Sequence, residues 1–152
     1  IAVDWTKDLA YGQGVCPDGW HLSSYIEWEN MKQYLISHGF NWDGTTSTDK
    51  TAKSLATTYD WNENDLYEGS IGYDLQSNNL SGFSGLPGGQ RLFEYEGQCG
   101  LFSGRYHVGN WWMHSYPNCE YAYVYLYEWL QGLSMPSTNP KNGLSVRCVK
   151  NN

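Results

Sequence analysis

The chain has 152 residues, enough for one ordinary domain and too few for two. Its 9 basic and 16 acidic side chains leave a net charge of −7 with no Lys/Arg cluster, which repels phosphate backbones and excludes nucleic acid as a partner. Aromatic residues (8 Trp, 13 Tyr, 4 Phe) supply the buriable surface that disordered chains lack, and no apolar run approaches the roughly 18–20 residues that span a bilayer.

The chain starts at Ile1, without Met or a signal peptide, and reads as a mature fragment or excised domain, one unit over residues 1–152. Residues 1–15 read as a lead-in holding one short strand or turn. Cys16-Pro17-Asp18-Gly19-Trp20-His21-Leu22 is a turn leading into a helix. Ser24 with Glu27 forms a capping box, and Tyr25, Trp28, Met31 and Leu35 recur at helical steps, so the spacing predicts an amphipathic helix ending near Gly39. A second, shorter helix is expected over 49–58, where Ala52, Leu55 and Ala56 form a narrow apolar stripe. From 60 to 89 periodicity disappears, and irregular stretches of this length usually serve a function. Within it, Trp61-Asn62-Glu63-Asn64-Asp65-Leu66-Tyr67-Glu68 carries oxygen donors that could hold calcium. The spacing matches no EF-hand, and a solvated acidic loop is the commoner explanation. Strands are expected over 91–95, 108–114, 120–129 and 144–149, with Leu144, Val146 and Cys148 sharing one side of the last. Helices first and strands after indicate an α+β fold with an antiparallel sheet.

Four cysteines, Cys16, Cys99, Cys119 and Cys148, form no CxxC pair, which argues against a zinc ribbon or a thioredoxin-type motif. An even number at wide spacing points to two disulfides in an oxidising compartment. Of the three pairings, Cys16–Cys148 with Cys99–Cys119 is favoured, because the first ties the start of the fold to its end and the second clips a short loop. The alternative is four reduced, buried thiols.

The sharpest local pattern is Tyr121-Ala122-Tyr123-Val124-Tyr125-Leu126-Tyr127-Glu128-Trp129. Strand side chains alternate between faces, so Tyr121, Tyr123, Tyr125, Tyr127 and Trp129 share one face while Ala122, Val124 and Leu126 take the other. The aliphatic face suits a core. The aromatic face then looks outward, offering flat rings with polar tips that can stack on the apolar face of a sugar and hydrogen-bond its rim. The opposite reading buries the phenols, at about 1–3 kcal/mol for each hydroxyl left without a partner. Just upstream lie Tyr106, His107, Trp111, Trp112, His114 and Tyr116. Trp111 and Trp112 are expected to point opposite ways, one to the core and one to the surface. His107 and His114, seven apart with no carboxylate between them, read as polar loop histidines. There is no G-x-S-x-G elbow, no H-E-x-x-H helix and no phosphate-cradling glycine loop. Glu94, Glu96, Glu120 and Glu128 are the carboxylates open to glycosidase chemistry, but the expectation is a non-enzyme.

Four motifs resemble a known family. They are Cys16-Pro17-Asp18-Gly19-Trp20-His21-Leu22-Ser23 with Glu27-Trp28; Ser81-Gly82-Phe83-Ser84-Gly85-Leu86-Pro87-Gly88-Gly89; Gly109-Asn110-Trp111-Trp112; and Asn142-Gly143-Leu144-Ser145-Val146-Arg147-Cys148-Val149. In this order, over nearly the whole chain, they resemble the Fibrobacter succinogenes major paralogous domain, found in secreted and surface proteins of gut and rumen bacteria. The resemblance implies a C-type-lectin-like fold: two helices packed on a small twisted antiparallel sheet with long irregular loops, and a disulfide joining the first and last elements. Two departures stand out. Met113-His114-Ser115 replaces the family's usual Ser-Ser-Thr. Tyr116-Pro117-Asn118 lacks the acid or amide of calcium-binding lectins, and Trp61-Asn62-Glu63 lies in the wrong order for their second motif. The fold is also similar to that of the variable proteins of diversity-generating retroelements, whose Tyr-rich display segment would correspond to 105–131. Formylglycine-generating enzymes share the broad fold, but their reactive cysteine pair has no counterpart once both disulfides form.

The sequence therefore predicts a secreted or cell-surface binding module. Its expected ligand is a glycan or polysaccharide, or alternatively a surface protein. The expected contact residues are Tyr106, Trp111, His114, Tyr116, Tyr121, Tyr123, Tyr125, Tyr127 and Trp129. No cofactor is expected, calcium being the one candidate the acidic segment raises.

Overall fold

A computed structural model of the chain describes residues 14–95, 97–114 and 121–151. The lead-in expected over 1–15 falls outside them, apart from its last two residues.

The first helix forms where the capping box predicts it. The Ser24 hydroxyl accepts the Glu27 backbone N–H at 3.2 Å, and the Glu27 carboxylate accepts the Ser24 backbone N–H at 2.8 Å, which starts α1 (Tyr25–Ser37). Its end is a Schellman pair. Gly39, at φ +78°, and Phe40 donate backwards to Ile36 and Leu35 at 3.3 and 3.0 Å. Trp28, Leu35 and Ile36 are buried on one side of the helix, with Tyr25 and Met31 packed beside the core.

The expected second helix is a single turn, α2 (Ala52–Leu55). Its apolar stripe is fully buried as expected, but at Ala56 the backbone becomes extended and pairs with Gly85, so tertiary pairing ends the helix early. The long segment after 60 is irregular apart from a 3-10 turn at Leu75–Ser77. Side chains order it. Trp61 and Ile71 enter the core, and the Asn78 amide donates to the carbonyls of Thr57 and Ile71 at 3.0 and 3.1 Å.

The strands are β1 (Trp20–Leu22), β2 (Gln90–Tyr95), β3 (Gln98–Ser103), β4 (Val108–Trp112), β5 (Tyr123–Tyr127), β6 (Ser145–Val146) and β7 (Cys148–Lys150). The single antiparallel sheet expected from the sequence is instead divided. β1 pairs with β7 and β2 with β3, both antiparallel, while β4 is the centre of a mixed sheet with β5 antiparallel on one side and β6 parallel on the other. The strand expected over 144–149 splits at Arg147 into β6 and β7, each serving a different sheet. Leu144, Val146 and Cys148 still share a side, as expected, in a small cluster with Cys16, Leu22 and Trp112. The main core lies on the other side of the mixed sheet, under α1 and α2.

Cys16 and Cys148 form the favoured disulfide, with Cα atoms 5.8 Å apart. Cys119 and the side chain of Cys99 lie outside the described residues. Among the described residues no helix is long and apolar enough to cross a membrane.

A titratable bridge also ties the two ends of the fold. The His21 ring contacts Asn151 Oδ1 at 2.7 Å and Glu27 Oε1 at 2.8 Å, two acceptors that both want a donor. Burial pulls the imidazole pKa down, but the hydrogen bonds it donates to Asn151 and Glu27, with the Glu27 charge, outweigh it and raise it above 6.5. Burial likewise pushes Glu27 up, and the bonds from Ser24 and His21 bring it below 4.5. The His21 contribution is thus present below its unfolded pKa and lost as pH rises through the folded one. The Glu27 contribution is present above its unfolded pKa and lost as pH falls through the folded one. Glu27→Gln is expected to destabilise by about 1 kcal/mol near pH 5.5, a figure discounted because the carboxylate is partly exposed. The deficit should shrink above neutrality. Urea denaturation across pH checks this; a deficit that grows with pH would contradict it.

Candidate functional site

The alternation on β5 has the expected consequence for its aliphatic face. Ala122, Val124 and Leu126 are buried at 5, 0 and 0% exposure. On the other face Tyr123, Tyr125 and Tyr127 are half-buried and Trp129 is exposed. Their rings form a continuous file. Centroids lie 6.2 Å apart from Tyr123 to Tyr125, 6.4 Å from Tyr125 to Tyr127, and 5.0 Å in an edge contact from Tyr127 to Trp129. Burial raises the pKa of Tyr123 and Tyr127, with added repulsion from neighbouring phenols and from Glu128 beside Tyr127. No hydrogen bond among the described residues engages the hydroxyls of Tyr123, Tyr125 or Tyr127, and none of the three is a sealed, partnerless group. They reach solvent and remain open to a ligand. Across the ladder Trp112, Asn110 and Val108 of β4 sit opposite Tyr123, Tyr125 and Tyr127 and floor this side.

The file has a closed end and an open end. Tyr121, with φ +66°, and Tyr123 pack against the cluster around the Cys16–Cys148 bridge. Tyr127 and Trp129 mark the open end. Of the remaining expected contact residues, those that are described make no ring contact with them. Trp111 is only 6% exposed and lies in the main core beside Phe83 and Trp28, so its ring has no face for a ligand. Trp112 is buried too, at 5%, because the sheet carries an apolar cluster on each side, which corrects the expected split of one core and one surface ring. His114 is fixed by backbone bonds to Ser23 and Tyr25 at the start of α1. Tyr106 is exposed, at φ +71°, with the Arg105 guanidinium 4.6 Å from its ring centre. Tyr116 lies outside the described residues.

One pair escaped the sequence reading. Glu128, the residue after β5, is 1% exposed and meets His107 Nδ1 at 2.7 Å. Its second oxygen has no partner among the described residues. The histidine read as a loop residue is therefore oriented by a carboxylate 21 positions away. The available signal was Glu128 itself, a charge at a position where the alternation demands an aliphatic. Of the other carboxylates considered, Glu96 and Glu120 lie outside the described residues, as does the side chain of Glu94. Among the described residues no three His, Cys, Asp or Glu side chains gather as a metal site, and the acidic segment at 61–68 is tied by hydrogen bonds to Gly72, Tyr106, Glu128 and Gln131.

The four sequence motifs converge in space. Trp28, Phe83 and Trp111 form a triangle of rings with centroids 5.5, 5.8 and 6.4 Å apart, and Arg147 lies 3.8 Å over Phe83. No curated protein and no solved structure matches the chain. A family model does match, over residues 5–150, and by it the chain belongs to the Fibrobacter succinogenes major domain family.

Proposed function

We propose that this chain is a non-catalytic binding module of secreted or cell-surface proteins, with a C-type-lectin-like fold, that recognises carbohydrate through Tyr123, Tyr125, Tyr127 and Trp129. The observation that carries the reading is the unbroken file of rings along β5 with hydroxyls open to solvent. At about 3.3 Å per strand residue the file spans roughly 20 Å, room for several sugar rings in a row. Stacking requires flat apolar surface that loses little entropy, and Tyr and Trp supply it. Phenol tips then fix the orientation through hydrogen bonds to the sugar rim. The Cys16–Cys148 bridge fits an oxidising exterior.

Calorimetry against a panel of plant cell-wall polysaccharides and glycans tests the reading. Tyr127→Ala and Trp129→Ala are each expected to weaken binding about tenfold, equivalent to roughly 1.4 kcal/mol. Tyr34→Ala, which removes an exposed ring from α1, should leave it unchanged. If no glycan binds but a defined protein ligand does, the display reading takes its place. Loss of binding with chelator would make calcium part of the site, and turnover of a bound glycan would overturn the non-catalytic assignment.

A further inference from the structure

We propose that Arg147 and the hollow beside it form a receptor for an aliphatic carboxylate. The site shares no residue with the aromatic file and does not depend on carbohydrate binding. Because Val146 and Cys148 point into the cluster around the disulfide, Arg147 between them projects the other way, toward α1. There its guanidinium lies 3.8 Å over the Phe83 ring and is half-buried. Burial lowers its pKa, with no neighbouring charge to offset the effect. Among the described residues it has no hydrogen-bonded acceptor and no ion pair.

That is an unusual state for a guanidinium. Its donors lie in the plane of the group, so stacking on Phe83 occupies a face and leaves the donor edges free. A partly desolvated cation without a counter-ion is costly, and the geometry that relieves it is a bidentate carboxylate. No protein group among the described residues serves. The Glu27 carboxylate is engaged by His21 and Ser24 and forms no ion pair with Arg147, and the Ser23 hydroxyl accepts the Trp28 indole N–H at 2.7 Å.

The hollow sets the rest of the ligand. It has a volume of about 90 Å³; Trp28, Met31, Phe83 and Val149 give it apolar walls, and Ser23 and the Glu27 carboxylate also line it. A water takes up about 30 Å³ of liquid, so the space suits an apolar tail of about three or four carbons. Guanidinium at the rim and aliphatic space behind it select a carboxylate with a short hydrocarbon chain. Two sources present this chemistry: a free short-chain acid, or the C-terminus of a polypeptide ending in a small aliphatic residue.

The test is NMR titration of the full chain, following the Arg147 Nε–H and Trp28 indole N–H. The probes are butyrate and butyramide, and an N-acetylated peptide ending in Val as its free acid and as its amide. Butyrate is expected to bind saturably in the millimolar range, with butyramide at least about tenfold weaker. If the peptide acid binds more tightly than butyrate, the polypeptide terminus is the source; if it binds equally or less tightly, the free acid is. Arg147→Met should abolish the acid-over-amide preference, and Arg147→Lys should weaken it several-fold because a point charge lacks the fork. Should Arg147→Met fail to fold, the acid–amide contrast in the unaltered chain decides. No saturable shift at tens of millimolar, equal binding of acid and amide, or undiminished preference in Arg147→Met would overturn the proposal.

Discussion

Breaking the Cys16–Cys148 bridge is expected to cost about 5 kcal/mol, the largest single-site effect in the molecule. The bridged residues are 132 apart. In the chain-entropy account, a cross-link closing a loop of that length removes nearly 5 kcal/mol of freedom from the unfolded chain. The bond also sits where folding needs it. It joins the turn before β1 to β7 and packs on Leu22 and Trp112. With whole-domain stabilities of about 5–15 kcal/mol, the reduced protein would be only marginally folded. At about 2–4 °C per kcal/mol for a chain of this size, the Cys16→Ala/Cys148→Ala variant should melt about 10–20 °C lower. Thermal scans of that variant, and of the unaltered chain with and without reductant, check this. A deficit below about 1 kcal/mol would show that side-chain packing alone holds the two ends together.

How far the sequence could be read depended on whether each signal was local. The capping box at Ser24 and Glu27 is local, as is the Tyr25–Trp28–Met31–Leu35 spacing, and α1 follows them closely. The alternation from 121 to 129 is local too, and it separates buried aliphatics from the ring file. What escaped was set by distant partners. β1 has three residues and exists because β7 pairs with it. β3 is the exception: its partner β2 is adjacent in the chain, and it escaped because Gly100 at φ +75° weakens its strand signature. α2 stops at Ala56 because Gly85 pairs with it there. Lys53, on which no sequence signal bears, is 5% exposed and gives its ammonium to the carbonyls of Ser70, Tyr73 and Asp74.

The candidate site shows the same division. Sequence alternation assigns rings to a face but cannot say what covers that face. Tyr121 and Tyr123 meet the cluster built by Cys16, Leu22 and Cys148, residues about a hundred positions away or at the far end of the chain. The His107–Glu128 contact joins the residue before β4 to the residue after β5 and depends on the register of those strands. The tryptophan pair misled for a related reason. Alternation places Trp111 and Trp112 on opposite faces, which is true, but a sheet with an apolar cluster on each side buries both.

Trp111→Ala is therefore expected to act on stability rather than on recognition, at a cost of about 4 kcal/mol, in the range for deleting a buried aromatic ring. The indole is 6% exposed, sits opposite Val124 across the ladder, and makes edge and tilted contacts with Phe83 and Trp28. The backbone beneath it is shaped for the ring. A Cβ on Gly109 would stand 2.6 Å from its Cη2 and one on Gly85 at 3.2 Å, so both positions are kept clear by glycine. Removing the ring leaves a void that these stiff neighbours cannot close, and partial collapse is what keeps such costs below their maximum elsewhere. Because Phe83 also carries the Arg147 guanidinium, the loss should reach the start of β7. Urea denaturation should show the deficit. Trp111→Phe, which keeps an apolar ring, should recover most of it. Folded Trp111→Ala, held at low temperature, should bind glycan as the unaltered chain does, since the file lies on the opposite face of the sheet. A variant of full stability that had lost binding would return Trp111 to the ligand surface and contradict the buried triangle.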